Sequence, residues 1–171
     1  MSDRSPAAAP VPMLDVNRQN APLADQIDAA IAEVVRNGTF INGPACRDLE
    51  EAFARYVGVD HAVGCASGSD ALLLPLMAAN VGTGDEVLVP SFTFFATAGA
   101  VWRLGAMPVF VDILPGTMNI DPADAARKVT ARTKAIIPVH LFGQSADMTA
   151  INQLAAEHNL VVIEDACQAI G

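Results

Sequence analysis

Basic and aromatic side chains are both scarce in this sequence. Ten Lys and Arg stand against nineteen Asp and Glu, a formal net charge of −9. The clustered cations that give a nucleic-acid binder its grip on phosphates are missing. Aromatics amount to 5%, too few for base-stacking platforms. Cys46, Cys65 and Cys167 are odd in number and lack CxxC spacing, which speaks against a disulfide framework or a zinc site and for a reduced, cytoplasmic setting. Long apolar runs are absent as well. The segment 71–81 is about half the roughly eighteen residues of a membrane span, and Pro75 and Asn80 interrupt it. The N-terminus, MSDRSPAAAPVP, carries Asp3 and three prolines where a signal peptide needs a continuous apolar stretch. Neither GxxxxGK[ST] nor GxGxxG occurs.

What is present is aliphatic. Of 171 residues, 52% are hydrophobic and 17% charged, and mean hydropathy is +0.35. That balance predicts one domain with a large buried core. Residues 1–12 read as a disordered tail, and 13–171 as structured. Apolar residues recur at helical spacing over 23–35, with Asn37-Gly38 as a stop, and again over 46–56 after Gly43-Pro44.

The rhythm then changes. Short continuous apolar runs at 61–65, 86–89, 108–111, 135–139 and 160–163 alternate with helical patterns at 70–79, 93–104, 122–129 and 148–158. Continuous runs suit parallel strands covered on both faces. The expected architecture is a three-layer α/β/α sandwich with a mostly parallel sheet, whose ligands collect at the carboxyl ends of the strands.

Four places there could carry chemistry. Ser67-Gly68-Ser69-Asp70 opens a helix after the first run. Its free N–H groups and hydroxyls could hold a phosphate, or Ser69 or Asp70 could simply cap the helix. Phe92, Phe94 and Phe95 follow the second run, where a flat ring could stack on a planar ligand or belong to the core. Asp165, with Glu164, ends the last run, and Gln168 follows. A buried carboxylate there asks for a cation or donors, from a cofactor's protonated ring nitrogen or from an ordinary cap or ion pair. His140 ends the fourth run and reads as structural or as facing the crevice. Cys167 reads as a small buried residue, since no basic neighbour is evident to activate it.

Six blocks occur in order: Ser67-Gly68-Ser69-Asp70-Ala71; Gly84-Asp85-Glu86-Val87; Pro90-Ser91-Phe92-Thr93-Phe94; Gly105-Ala106-Met107-Pro108-Val109-Phe110-Val111-Asp112; Thr133-Lys134-Ala135-Ile136-Ile137-Pro138-Val139-His140-Leu141; and Ile163-Glu164-Asp165-Ala166-Cys167-Gln168-Ala169. From about Met13 onward the chain resembles the N-terminal part of the DegT-type sugar aminotransferases. These are pyridoxal-phosphate enzymes of aspartate-aminotransferase-like fold (fold type I). The resemblance implies that Gly68 and Ser69 hold the phosphate of pyridoxal 5'-phosphate and that Phe94 stacks on its ring. It further implies that Asp165 pairs with the pyridine nitrogen and that Gln168 lies near the phenolic oxygen. Asn42 borders the sugar-nucleotide site in the same scheme. Ser69 stands where Thr is more usual and Cys167 where alanine is. Pro75 falls inside the helix after the phosphate turn and predicts a distortion there, without loss of the site.

The implied reaction moves an amino group, with glutamate as donor, to a nucleotide-linked keto-sugar in a homodimer. The Schiff-base lysine is expected beyond Gly171, and neither Lys128 nor Lys134 takes its place. The chain therefore reads as part of a longer enzyme, inactive by itself and lacking the small C-terminal domain. Strand 61–65 is expected to lose its hydrogen-bonding neighbours, which the resemblance places later in the chain. The alternatives are a sugar dehydratase of the same fold, with histidine in place of the lysine, and a non-catalytic, cofactor-binding regulatory protein.

Overall fold

The computed structural model describes residues 11–170, and the chain divides between Gly64 and Cys65 into two compact units. The expected tail lies outside the described residues over 1–10. Residues 11 and 12 are irregular and exposed.

The first unit is helical: α1 (Val16–Asn20), α2 (Ala24–Asn37) and α3 (Pro44–Val57). Local signals set their ends. The Asp15 side chain accepts from the Arg18 N–H at 3.0 Å and caps α1. Gly38, at φ 65°, closes α2 in a left-handed conformation that glycine reaches without steric cost. Pro44 occupies the first turn of α3, where its missing N–H is no loss. Helix α3 thus begins two residues before the apolar periodicity suggests.

Residues 61–65 do not form the expected strand. A strand exists only where a neighbour satisfies its N–H and C=O groups. None of the four strands in the described residues pairs with this segment.

The second unit holds a parallel sheet of β1 (Glu86–Pro90), β2 (Met107–Val111), β3 (Thr133–Ile136) and β4 (Val161–Val162), in the order β2-β1-β3-β4. Four helices accompany it: α4 (Gly68–Ala78), α5 (Ala96–Arg103), α6 (Pro122–Lys128) and α7 (Met148–His158). Alternate residues of the central strands face opposite layers. Val87 and Val89 of β1 and Ala135 of β3 pack with Leu72, Leu76, Ala98 and Val101 from α4 and α5. Leu88 and Ile136 pack with Ala125, Ile151 and Leu154 from α6 and α7. The sandwich has three layers, as the continuous apolar runs predict. Val87, Leu88 and Val89 have no exposed surface, each contributing about 1.5–3 kcal/mol of burial free energy.

Helix α4 continues through Pro75 to Ala78, so the expected distortion does not interrupt it. Beyond β3 and β4 the ladder resumes at one bridge, Val139 with Asp165. There the Asp165 N–H donates to the Pro138 carbonyl at 2.9 Å, and the His140 N–H donates to the Asp165 carbonyl at 3.0 Å. This extension carries two polar side chains out of the core to the carboxyl edge of the sheet.

Candidate functional site

A cavity of about 310 Å³ opens at that edge, within the second unit. The starts of α4 and α5, the segment after β3 and the segment after β4 all contribute to its wall. Gly68, Ser69, Phe94, Asp165 and Gln168 all line it. Ninety-seven positions of sequence separate the first of these from Asp165, and parallel crossovers bring them to one place. Asn42 does not join them. It belongs to the first unit, at φ 48° in the loop 38–44, and lines a separate cavity there.

The turn at the start of α4 is capped and also presents N–H groups without an intrahelical partner. Ser67, rather than Ser69 or Asp70, is the cap. Its hydroxyl oxygen accepts from the Asp70 N–H at 3.2 Å, and the hydroxyl donates to Asp70 Oδ2 at 3.0 Å. The Gly68 and Ser69 N–H groups come too early in the helix for an intrahelical partner. They lie at the positive end of the helix dipole, on the cavity wall. A Cβ on Gly68 would stand 3.2 Å from Cys167 Sγ, so the turn and the segment after β4 touch closely.

The phenylalanines are not core. Phe92 is 50% exposed, and Phe94 and Phe95 are each 76% exposed. Of the three, Phe94 lines this cavity. Asp165 is 8% exposed. Its Oδ2 accepts from the Thr97 hydroxyl at 3.1 Å and its Oδ1 from the Cys167 N–H at 3.3 Å. No Lys or Arg among the described residues forms an ion pair with it. Cys167 is exposed, not the buried residue the sequence suggests. The Asp165 carboxylate beside it, with some desolvation, pushes that thiol up from its ordinary value. Such a thiol is a poor nucleophile. Gln168 Oε1 accepts from the Phe142 N–H at 2.7 Å, and its side-chain NH2 has no partner among the described residues and remains available as a donor.

Two polar neighbours complete the wall or its support. His140 is buried and lines the cavity. Thr97 has no exposed surface and lies behind Asp165. Sequence reasoning missed Thr97. Its only local signal is a hydroxyl early in the helix that follows the phenylalanines, and its partner is 68 positions away. The two lysines are engaged elsewhere: Lys128 Nζ donates to the Phe110 carbonyl at 2.7 Å, and Lys134 Nζ to the Asn80 carbonyl at 2.6 Å. Neither lines the cavity.

Comparison with known proteins gives the arrangement a relationship. The chain is 55% identical over 161 residues to the pleiotropic regulatory protein of Geobacillus stearothermophilus, covering 94% of this chain and 43% of that protein. It is 48% identical over 161 residues to the UDP-2-acetamido-2-deoxy-3-oxo-D-glucuronate aminotransferase of Pseudomonas aeruginosa, covering 94% and 45%. The crystal structure of NtdA from Bacillus subtilis with bound cofactor PMP superposes with a TM-score of 0.92 at 38% identity, covering 100% of this chain and 39% of that one. This chain thus spans less than half the length of each relative. Residues 22–171 match the family model of the DegT/DnrJ/EryC1/StrS aminotransferases, and the chain belongs to that family.

Proposed function

We propose that this chain forms the cofactor-holding part of a pyridoxal-phosphate aminotransferase that acts on a nucleotide-linked keto-sugar. One observation carries the reading: Asp165 is a buried carboxylate that lines a cavity and forms no ion pair with any Lys or Arg among the described residues. An uncompensated charge in such a place is costly. A protonated pyridine nitrogen supplies the missing countercharge.

The rest of the wall fits the same group. The Gly68 and Ser69 N–H groups and the Ser69 hydroxyl offer donors for a phosphate. Phe94 offers an exposed apolar ring, and the Gln168 amide offers a donor for a phenolic oxygen. The volume lies at the lower end of the roughly 300–1,000 Å³ of ligand pockets. When bound, the cofactor supplies an electron-poor ring that stabilises negative charge on the carbon next to the transferred nitrogen. The residues of this chain bind and orient it. Asp165 holds the proton at the ring nitrogen, the α4 turn anchors the phosphate, and Phe94 restrains the tilt of the ring. The catalytic lysine that the reaction requires has no counterpart in Lys128 or Lys134, whose side chains are engaged away from the cavity.

The nucleotide-sugar substrate is supported by the name of the Pseudomonas aeruginosa relative. Glutamate as amino donor, a homodimer, a cytoplasmic setting and Asn42 at the substrate side complete the proposal. A second reading, a cofactor-holding regulatory protein, is favoured by the name of the Geobacillus stearothermophilus relative. Amino transfer from glutamate to a nucleotide keto-sugar by the whole protein separates the two.

The direct test is titration of the chain with pyridoxamine phosphate, which has no aldehyde to react with surface lysines. Asp165→Asn, close in shape, is expected to weaken binding about tenfold to hundredfold, the range of one lost hydrogen bond to a charged group. Equal affinity in the two proteins overturns the assignment of Asp165.

A further inference from the structure

We infer that Thr97 is a positioning residue for the cofactor, acting through Asp165. The inference rests on the cofactor reading above and extends it to a side chain that the cofactor cannot touch. Thr97 does not line the cavity and has no exposed surface. Its hydroxyl meets Asp165 Oδ2 at 3.1 Å.

The direction of that bond follows from the partners. An ionised carboxylate only accepts, so the hydroxyl donates. Donation of this kind stabilises the ionised carboxylate over the protonated one. The hydroxyl therefore does two things. With the Cys167 N–H on Oδ1, it fixes the rotation of the carboxylate about its last bond. It also keeps the proton of an Asp165–pyridine pair on the ring nitrogen. The donor is held in place, because Thr97 is fully buried in the first turn of α5, a helix whose Ala98, Ala100 and Val101 belong to the core. A β-branched side chain in a helix has few rotamers to choose from. The bond thus links the layer of α4 and α5 to the end of β4, the two parts of the wall that grip opposite ends of one ligand.

The test uses the 171-residue chain, pyridoxamine phosphate labelled with ¹⁵N in the ring, and three variants. In the wild type and in Thr97→Ser the ring ¹⁵N resonance is expected at its protonated position, with similar Kd. In Thr97→Val, which keeps the shape and removes the hydroxyl, the resonance is expected to move toward the unprotonated position. Kd is expected to rise about tenfold, the size of one modest hydrogen bond. If Thr97→Val does not fold, Thr97→Ala read against Thr97→Ser makes the same comparison. A raised Kd with an unmoved resonance reduces Thr97 to a packing residue and overturns the inference. Unchanged Kd and resonance overturn it too. A wild-type chain that binds no pyridoxamine phosphate overturns the cofactor reading itself, and this inference with it.

Discussion

His140 and Glu164 meet at 2.9 Å, imidazole Nε2 to carboxylate Oε2, at the edge where β3 and β4 run out. The other ring nitrogen, Nδ1, accepts from the Ala146 N–H at 3.2 Å. An Nδ1 that accepts must carry no proton. The neutral tautomer with its proton on Nε2 is therefore selected, and that proton is donated to Glu164. The two contacts differ in worth, because Ala146 is buried whereas the Glu164 side chain is 53% exposed.

That difference is measurable by chemical denaturation. His140→Ala leaves the buried Ala146 N–H without its acceptor and is expected to cost about 1–3 kcal/mol. Glu164→Gln keeps an acceptor in a half-exposed position and is expected to cost less than about 1 kcal/mol. Equal losses in the two variants contradict this account.

Ser67→Ala removes the hydroxyl that satisfies the Asp70 N–H. Loss of such a cap costs about 0.5–2 kcal/mol. Because the same turn presents Gly68 and Ser69 to the cavity, pyridoxamine phosphate affinity is expected to fall as well. Inorganic phosphate competition in the two proteins checks whether the loss lies at the anion end.

The contact between Gly68 and Cys167 predicts a coupled pair. Gly68→Ala places a methyl 3.2 Å from Cys167 Sγ and is expected to weaken cofactor binding by spreading the turn from the segment after β4. Cys167→Ala removes that sulfur, so the double variant is expected to recover part of the loss. Contacting residues couple by about 0.5–3 kcal/mol. A double-mutant cycle on Kd that closes to zero shows the two segments to be independent.

Asp124 sets a pH dependence of stability. The Asp112 N–H at 2.7 Å, with Lys128 and Arg127 beside it, holds its carboxyl down to about 2. A carboxylate with a depressed folded-state pKa stabilises the protein above its unfolded value and loses that contribution as pH falls through the folded one. Asp124→Asn is therefore expected to lower the unfolding midpoint at neutral pH. The gap to wild type should be constant down to about pH 4 and close between about pH 4 and 2. A gap unchanged over that window excludes this linkage.

Much of the second unit is legible in the sequence. Continuous apolar runs such as 86–89 are what a strand buried on both faces requires, and Leu88 and Val89 do face opposite layers. Phe94, Asp165 and Gln168 were legible because each follows a strand, and parallel crossovers bring such ends together; Gly68 and Ser69 follow a run that forms no strand and were legible from the turn that opens α4. Less was legible where burial decides. Phe92, Phe94 and Phe95 fit core and cavity equally as a string of letters, and their exposure separates the two.

What the sequence alone determined is therefore local and periodic: where helices start and stop, which runs can be strands, and which family the ordered blocks resemble. Caps, turn glycines and apolar spacing act over a few residues, so they are written in the residues themselves. The tertiary structure decided what depends on a distant partner. Residues 61–65 have the composition of a strand and form none, because pairing belongs to two segments and no strand of this sheet pairs with them. Thr97 and Asp165 are 68 positions apart and meet at 3.1 Å. Only the folded sheet, by stacking one helix layer on the end of β4, sets that distance.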